Sequence, residues 1–202
     1  MLKKIVLLTA TAISAFALHM AELNINDKDL EIGATFDVGQ FNDNIEPNTM
    51  FMGAKFLNPD ISHSSDPISS IDPYYEVSFL MMREIGDNGM SIGLGIKLNY
   101  LTMNDEGFSS LPLGVNFAYA LPFPNLVPMS VSGSLYYAPE VLCLSSSGND
   151  YLEYKLYYDV ELIKNAGITL GYRSINASYS NVLNSDNINY NSSWYFGFKV
   201  KF

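Results

Sequence analysis

Residues 192–202 read SSWYFGFKVKF, and the chain stops on the final phenylalanine. Side chains along a β-strand alternate between faces. Trp194, Phe196, Phe198, Val200 and Phe202 therefore point one way, and Tyr195, Gly197, Lys199 and Lys201 the other. The stretch YLEYKLYYDVEL (151–162) repeats this division. Leu152, Tyr154, Leu156, Tyr158, Val160 and Leu162 share one face; Tyr151, Glu153, Lys155, Tyr157, Asp159 and Glu161 share its opposite. A helix would scatter both classes around its cylinder, so the period is that of a strand.

The same period recurs upstream in AGITLGYRSI, MSVSGSLYY, LPLGVNFAYAL and MSIGLGIKLNY, and more loosely in YYEVSFLM, MFMGAKF and LEIGATFDVG. Evenly spaced strands with few helix signals leave two all-β solutions, a soluble sandwich or a barrel. Three features select the transmembrane antiparallel barrel of outer-membrane type. Charges are expected only on the Gly- and Ser-lined face, as lipid contact on the other demands; a Lys or Arg at mid-bilayer costs roughly 2–4 kcal/mol. Aromatics gather near strand ends (Tyr74, Tyr75, Tyr100, Tyr119, Tyr137, Tyr151, Trp194), the places of an interfacial girdle. Several strands run about ten residues, enough to cross hydrocarbon at a tilt.

Expected connections are 57–72, 84–89, 102–109, 122–128, 139–149, 163–165 and 177–192. Short turns on the periplasmic side and long loops outside place the C-terminus in the periplasm. Nine strands would leave the N-terminus outside. AELNIN (21–26), closed by a DKD turn, supplies a further strand and a count of ten; eight remains the alternative if Met50–Phe56 is not a strand.

The start of the chain reads as a secretory signal. Lys3 and Lys4 precede an apolar run, Ile5 to Met20, and Ala15 and Ala17 form an A-F-A cleavage site, with Ala21 a later option. The expected division is thus a leader at 1–17 and a barrel at 21–202. Removing the two leader lysines leaves 9 basic residues against 21 acidic ones, a mature net charge of 9 − 21 = −12, which repels nucleic acid. Cys143 is the sole cysteine, so no disulfide framework exists.

The inward face collects acidic Glu31, Asp37, Glu76, Glu153, Asp159 and Glu161 and basic Lys55, Lys97, Lys155, Arg173, Lys199 and Lys201. Six meet six. Buried charges need partners, so ion pairs bridging a narrow or plugged lumen are expected. The acidic excess then falls on loops such as QFNDNIEPN and LNPDISHSSDPISSIDP, which lack the calcium-loop spacing and read as solvated surface. No cofactor or metal is implied. Barrel enzymes place a histidine base near a Ser or Asp. His63 has Ser62, Ser64, Ser65 and Asp66 beside it, but all lie in one loop without a scaffold, and catalysis is not expected.

GSLYYAPEVL (133–142), DYLEYKLYYDVEL (150–162), GYRSINAS (171–178) and WYFGFKVKF together resemble the YfaZ family of predicted outer-membrane proteins. Ala138 stands where Ser is commoner, and GYRSI replaces GYRYI. The resemblance implies a small, sometimes porin-like barrel in a Gram-negative outer membrane, with no catalytic residues to carry over. Tyr136, Tyr137, Pro139 and Arg173 are the positions it singles out. The aromatic last strand is read as a C-terminal signal for the barrel assembly machinery. The other partners expected are outer-membrane lipid, lipopolysaccharide and a small solute. Two functions stay open: a porin-like or structural barrel, or a surface adhesion protein working through loops 57–72 and 177–192.

Overall fold

In the computed structural model, residues 18–27, 29–60, 71–103, 106–123, 127–145, 148–179 and 188–202 are described. Alternating apolar and polar residues with turn-formers between them yield eleven strands: β1 (Leu18–Ile25), β2 (Leu30–Asp37), β3 (Met50–Asn58), β4 (Tyr74–Ile85), β5 (Met90–Met103), β6 (Glu106–Ser110), β7 (Leu113–Ala120), β8 (Met129–Ala138), β9 (Gly148–Ile163), β10 (Ala166–Tyr179) and β11 (Ile188–Lys201). No α-helix occurs among the described residues.

The strands form one antiparallel sheet in the order β4-β3-β2-β1-β11-β10-β9-β8-β7-β5, and pairing of β4 with β5 closes it. β6 and β7 act as a single wall strand. Both pair with β5 in one unbroken register, Ile96 opposite Leu113 and Asn99 opposite Ser110. Between them the Lys97 N–H still donates to the Pro112 carbonyl at 3.0 Å. Proline has no N–H to give its other neighbour, and there β8 yields to a 3-10 turn at Glu140–Leu142. The wall therefore has ten strands.

The start of β1 and the end of β11 lie at one end, the terminal end, since Met20 pairs with Lys201 and the Phe202 N–H donates to the His19 carbonyl. β1 therefore begins before the expected Ala21. Two expected loops shrink: strands run to Met103 and resume at Glu106, and run to Tyr179 and resume at Ile188. The short-long alternation of connections also fails in part. Residues 38–49 make a long connection at the terminal end, while at the far end β1 stops at Ile25 with β2 starting at Leu30, and β5 stops at Met103 with β6 starting at Glu106.

The outward face carries Leu94, Leu98, Val115, Leu135, Leu156, Leu170 and Phe198, all exposed. The expectation that this face carries no charge fails at one place: Arg83 lies on it between Met81 and Ile85, opposite Ile92, near the terminal rim. Tyr75, Tyr100, Tyr137, Tyr154 and Trp194 form an exposed aromatic tier towards the far end. Trp194 packs edge-on against Tyr172 at 5.4 Å, and Tyr172 lies 6.1 Å from Tyr154. Tyr74 and Tyr151 do not belong to this tier. They share the inward face with Glu76 and Glu153 and are fully buried.

Above the tier the two faces exchange character. In β10, Arg173 points inward, but so do Ile175 and Ala177 beyond it, while Ser174, buried under its polar neighbours, and half-buried Asn176 lie on the opposite face. Leu101 and Met103 follow Lys97 and Asn99 in the same way on β5. These inward residues join Leu57, Tyr74, Phe108, Ala138, Tyr151, Ile188 and Tyr190 in one buried apolar cluster inside the far end of the barrel. A β-bulge in β11 helps to build it. Ile175 faces Asn191 but Asn176 faces Asn189, so Tyr190 is the extra residue. It is fully buried, and its hydroxyl donates to the Asp72 carbonyl.

Candidate functional site: the barrel interior

Beneath the apolar cluster two ion-pair networks cross the lumen. The first is a closed ring of two lysines and two glutamates. Lys55 contacts Glu76 at 3.0 Å and Glu153 at 3.2 Å; Lys97 contacts the same carboxylates at 3.1 and 2.9 Å. Strand order makes these true cross-braces, since β3 and β9 stand on opposite sides of a ten-strand wall. The ring is capped from the far end by Tyr74, which donates to Glu76 at 2.7 Å, and by Tyr151, which donates to Glu153 at 2.9 Å. From the wall, Tyr136 offers its ring face to Lys97 Nζ at 4.0 Å, a cation–π contact. That ring lies flat over Gly95 and Gly114, where any Cβ would collide with it.

The second network centres on Arg173, which is 2% exposed. It donates to Glu31 at 2.9 Å and to Asp29 at 3.1 Å, and also to Asn191 and Ser193. Glu31 further accepts from Lys155 at 2.9 Å and from Asn24 at 2.6 Å. Lys155 reaches Glu22 at a looser 3.7 Å. Towards the terminal end Lys199 pairs with Asp159 at 2.8 Å, and Lys201 with Glu161 at 3.5 Å in a half-exposed position.

Eleven of the twelve inward charges named from the sequence thus sit in ion pairs. Asp37 is the exception: it is buried but accepts from the Gly39 and Asn48 backbone N–H groups, shaping the 38–49 connection. Sequence reasoning missed Glu22 and Asp29 as interior acids. Alternation with Leu23 and Ile25 contained the signal for Glu22. Asp29 sits in a turn, where no period operates.

On the last strand Trp194, Phe196, Phe198 and Val200 face outward and exposed, as does Phe202 beyond its end. Pro139 precedes the 3-10 turn, and Tyr137 belongs to the outer aromatic tier. Cys143 bridges to Ser110 and packs against the apolar cluster; burial, with Asp150 and Glu140 nearby, pushes its thiol up to about 11. His63 and its neighbours Ser62, Ser64, Ser65 and Asp66 lie outside the described residues. Among the described residues no group of three His, Cys, Asp or Glu side chains is placed to hold a metal ion.

Below the ring lies a cavity of about 380 Å³ lined by Lys55, Lys97, Lys155, Glu22, Glu76 and Glu153, with inward apolar side chains nearer the terminal end. Neither curated proteins nor solved structures gave a match to the chain. The YfaZ precursor family model matches residues 4–202, nearly the full length. A closed ten-strand barrel and a match of that extent agree: the chain belongs to the YfaZ family.

Proposed function

We propose that this protein is an outer-membrane barrel with a sealed lumen, serving a structural role at the membrane and not as a diffusion pore. One observation carries this reading. The far end of the interior is filled by the apolar cluster, and the cross-lumen Lys–Glu ring lies directly beneath it. A hydrated ion following the axis would have to part both. Opening the ring means separating buried pairs, a step worth roughly 3–5 kcal/mol for one broken partner.

The membrane placement draws support from dimensions. On β5 the outward face runs from Met90 to Tyr100, ten residue steps. At about 3.3 Å per step that is roughly 33 Å of strand, and a tilt near 40° reduces it to roughly 25 Å, the height of a lipid-facing band. The aromatic tier lies at its far edge, where polarity inverts, and Arg83 lies at the terminal rim. The termini would then be periplasmic, the far-end loops would meet lipopolysaccharide, and the aromatic β11 would serve the assembly machinery.

Reconstitution in planar bilayers tests the sealed lumen. The expected record shows no stable open level; a large, steady conductance from pure protein would overturn the reading. Partition into detergent and not into plain buffer tests the membrane placement separately. A catalytic role is not proposed, and His63→Ala is expected to change no activity.

A further inference from the structure

The cavity below the ring is asymmetric in charge and in polarity. It is closed above by the ring and open towards the terminal end. At its floor Glu76 and Glu153 line the space together with the lysines, but the ammonium side chains are the more exposed partners of each tight pair. Lys55, Lys97 and Lys155 side chains are 11%, 7% and 10% exposed, against 4%, 2% and 0% for Glu76, Glu153 and Glu31. Register explains the tilt. Glu76 lies opposite Asn99, so Lys97 sits two residues further along β5 towards the terminal end, and Lys155 likewise follows Glu153 on β9.

The walls nearer the opening break the usual rule of a polar lumen. Met20, Phe51, Leu80 and Met82 all line the cavity. Phe51 and Leu80 face each other across β3 and β4, on the side that carries Glu76 and Ser78. Met82 and Leu80 lie flat against Gly93, where a Cβ would strike both. A floor of paired charges, with the ammoniums more exposed than the carboxylates they pair with tightly, lies below these apolar side chains, and its volume of about 380 Å³ falls within the range of small-ligand pockets.

From this arrangement we infer that the cavity binds a small organic anion with an apolar body, of the short-chain carboxylate class. The carboxylate meets Lys155 and its neighbouring ammoniums, and the chain lies along Leu80, Met82 and Phe51. Glu22 opposes this ligand. It lies folded over Gly33, is the most exposed carboxylate at the floor, and touches Lys155 only at 3.7 Å. Its removal frees Lys155 without breaking a tight pair.

The test is equilibrium dialysis of the full mature chain in nanodiscs against labelled hexanoate, with acetate, hexylammonium and hexan-1-ol as competitors. Saturable hexanoate binding is expected, with acetate and hexan-1-ol at least tenfold weaker and hexylammonium inert. Lys155→Gln should weaken hexanoate at least tenfold, and Glu22→Gln should tighten it several-fold. The second variant keeps the test decisive if the first does not fold. Absence of saturable hexanoate binding, equal binding of hexylammonium, or weakening by Glu22→Gln each overturns the inference. Dialysis reads the pocket alone, so its outcome is independent of whether the lumen conducts.

Discussion

Neutralising Glu153 examines the ring most directly. Its carboxylate pairs with Lys55 at 3.2 Å and Lys97 at 2.9 Å and accepts from Tyr151 at 2.9 Å, with a side chain only 2% exposed. In Glu153→Gln both ammoniums remain, yet Glu76 alone is left to share between them, at 3.0 and 3.1 Å. One largely buried positive charge goes unbalanced. Breaking one side of a buried pair costs about 3–5 kcal/mol. Adding Lys55→Met restores balance, leaving Lys97 with Glu76, and should recover about 0.5–3 kcal/mol as a coupling energy. The assay is urea unfolding in detergent, followed by fluorescence of Trp194, the single tryptophan, which stands exposed on the outer wall beside Tyr172. A Glu153→Gln barrel within 1 kcal/mol of the parent, or a double variant no more stable than the single, would refute the view that the four side chains act as one unit.

Gly95→Ala should destabilise the barrel by about 1–3 kcal/mol through overpacking, because the new methyl collides with the Tyr136 hydroxyl that donates to Asn116; unfolding midpoints report it. The mature chain is expected to begin at Leu18 and not at Glu22, since the strand before Ala21 pairs with both Thr35 and Lys201; mass spectrometry of the purified protein decides the cut. Cys143 should alkylate slowly at pH 8 and speed up as pH rises towards 11. Burial raises its pKa, so the neutral thiol dominates below that value and the reactive thiolate above it; iodoacetamide rates across this range give the profile.

What the sequence revealed follows from the simplicity of a period of two. Wherever a strand alternates, pleating alone assigns the faces, so Lys155, Arg173 and Glu153 were placed inward without any knowledge of their partners. Their pairing was not legible, because it depends on which strands stand opposite across a closed ring. Lys55 and Glu153 are separated by 98 residues. Tyr74 and Tyr151 were legible by face but were read as girdle residues, since an aromatic at a strand end satisfies both readings until the wall's height is known. The polarity inversion was hidden for a related reason. Ile175 and Ala177 keep the alternation with Ser174 and Asn176 intact, and only the level of the aromatic tier shows that inside and outside have traded roles. Pro112 and the polar run around 104–107 hide the extent of these strands, so that the sequence reads as a loop and a shorter strand.

The inversion above the tier also divides the molecule by solvent. Given the proposed membrane placement, side chains on the outer wall below it have no water to avoid, and burial inside the lumen rests on charge pairing. The outermost segment, with Leu101, Phe108, Ile175 and Tyr190 packed within and the half-buried Asn176, Asn189 and Ser192 on its outer face, obeys the ordinary hydrophobic effect of a water-soluble protein. Its strength therefore fades on cooling and, given the proposed membrane placement, yields to urea before the wall below it does. Such a lid can loosen and re-form on its own thermal schedule, independently of the scaffold that holds it.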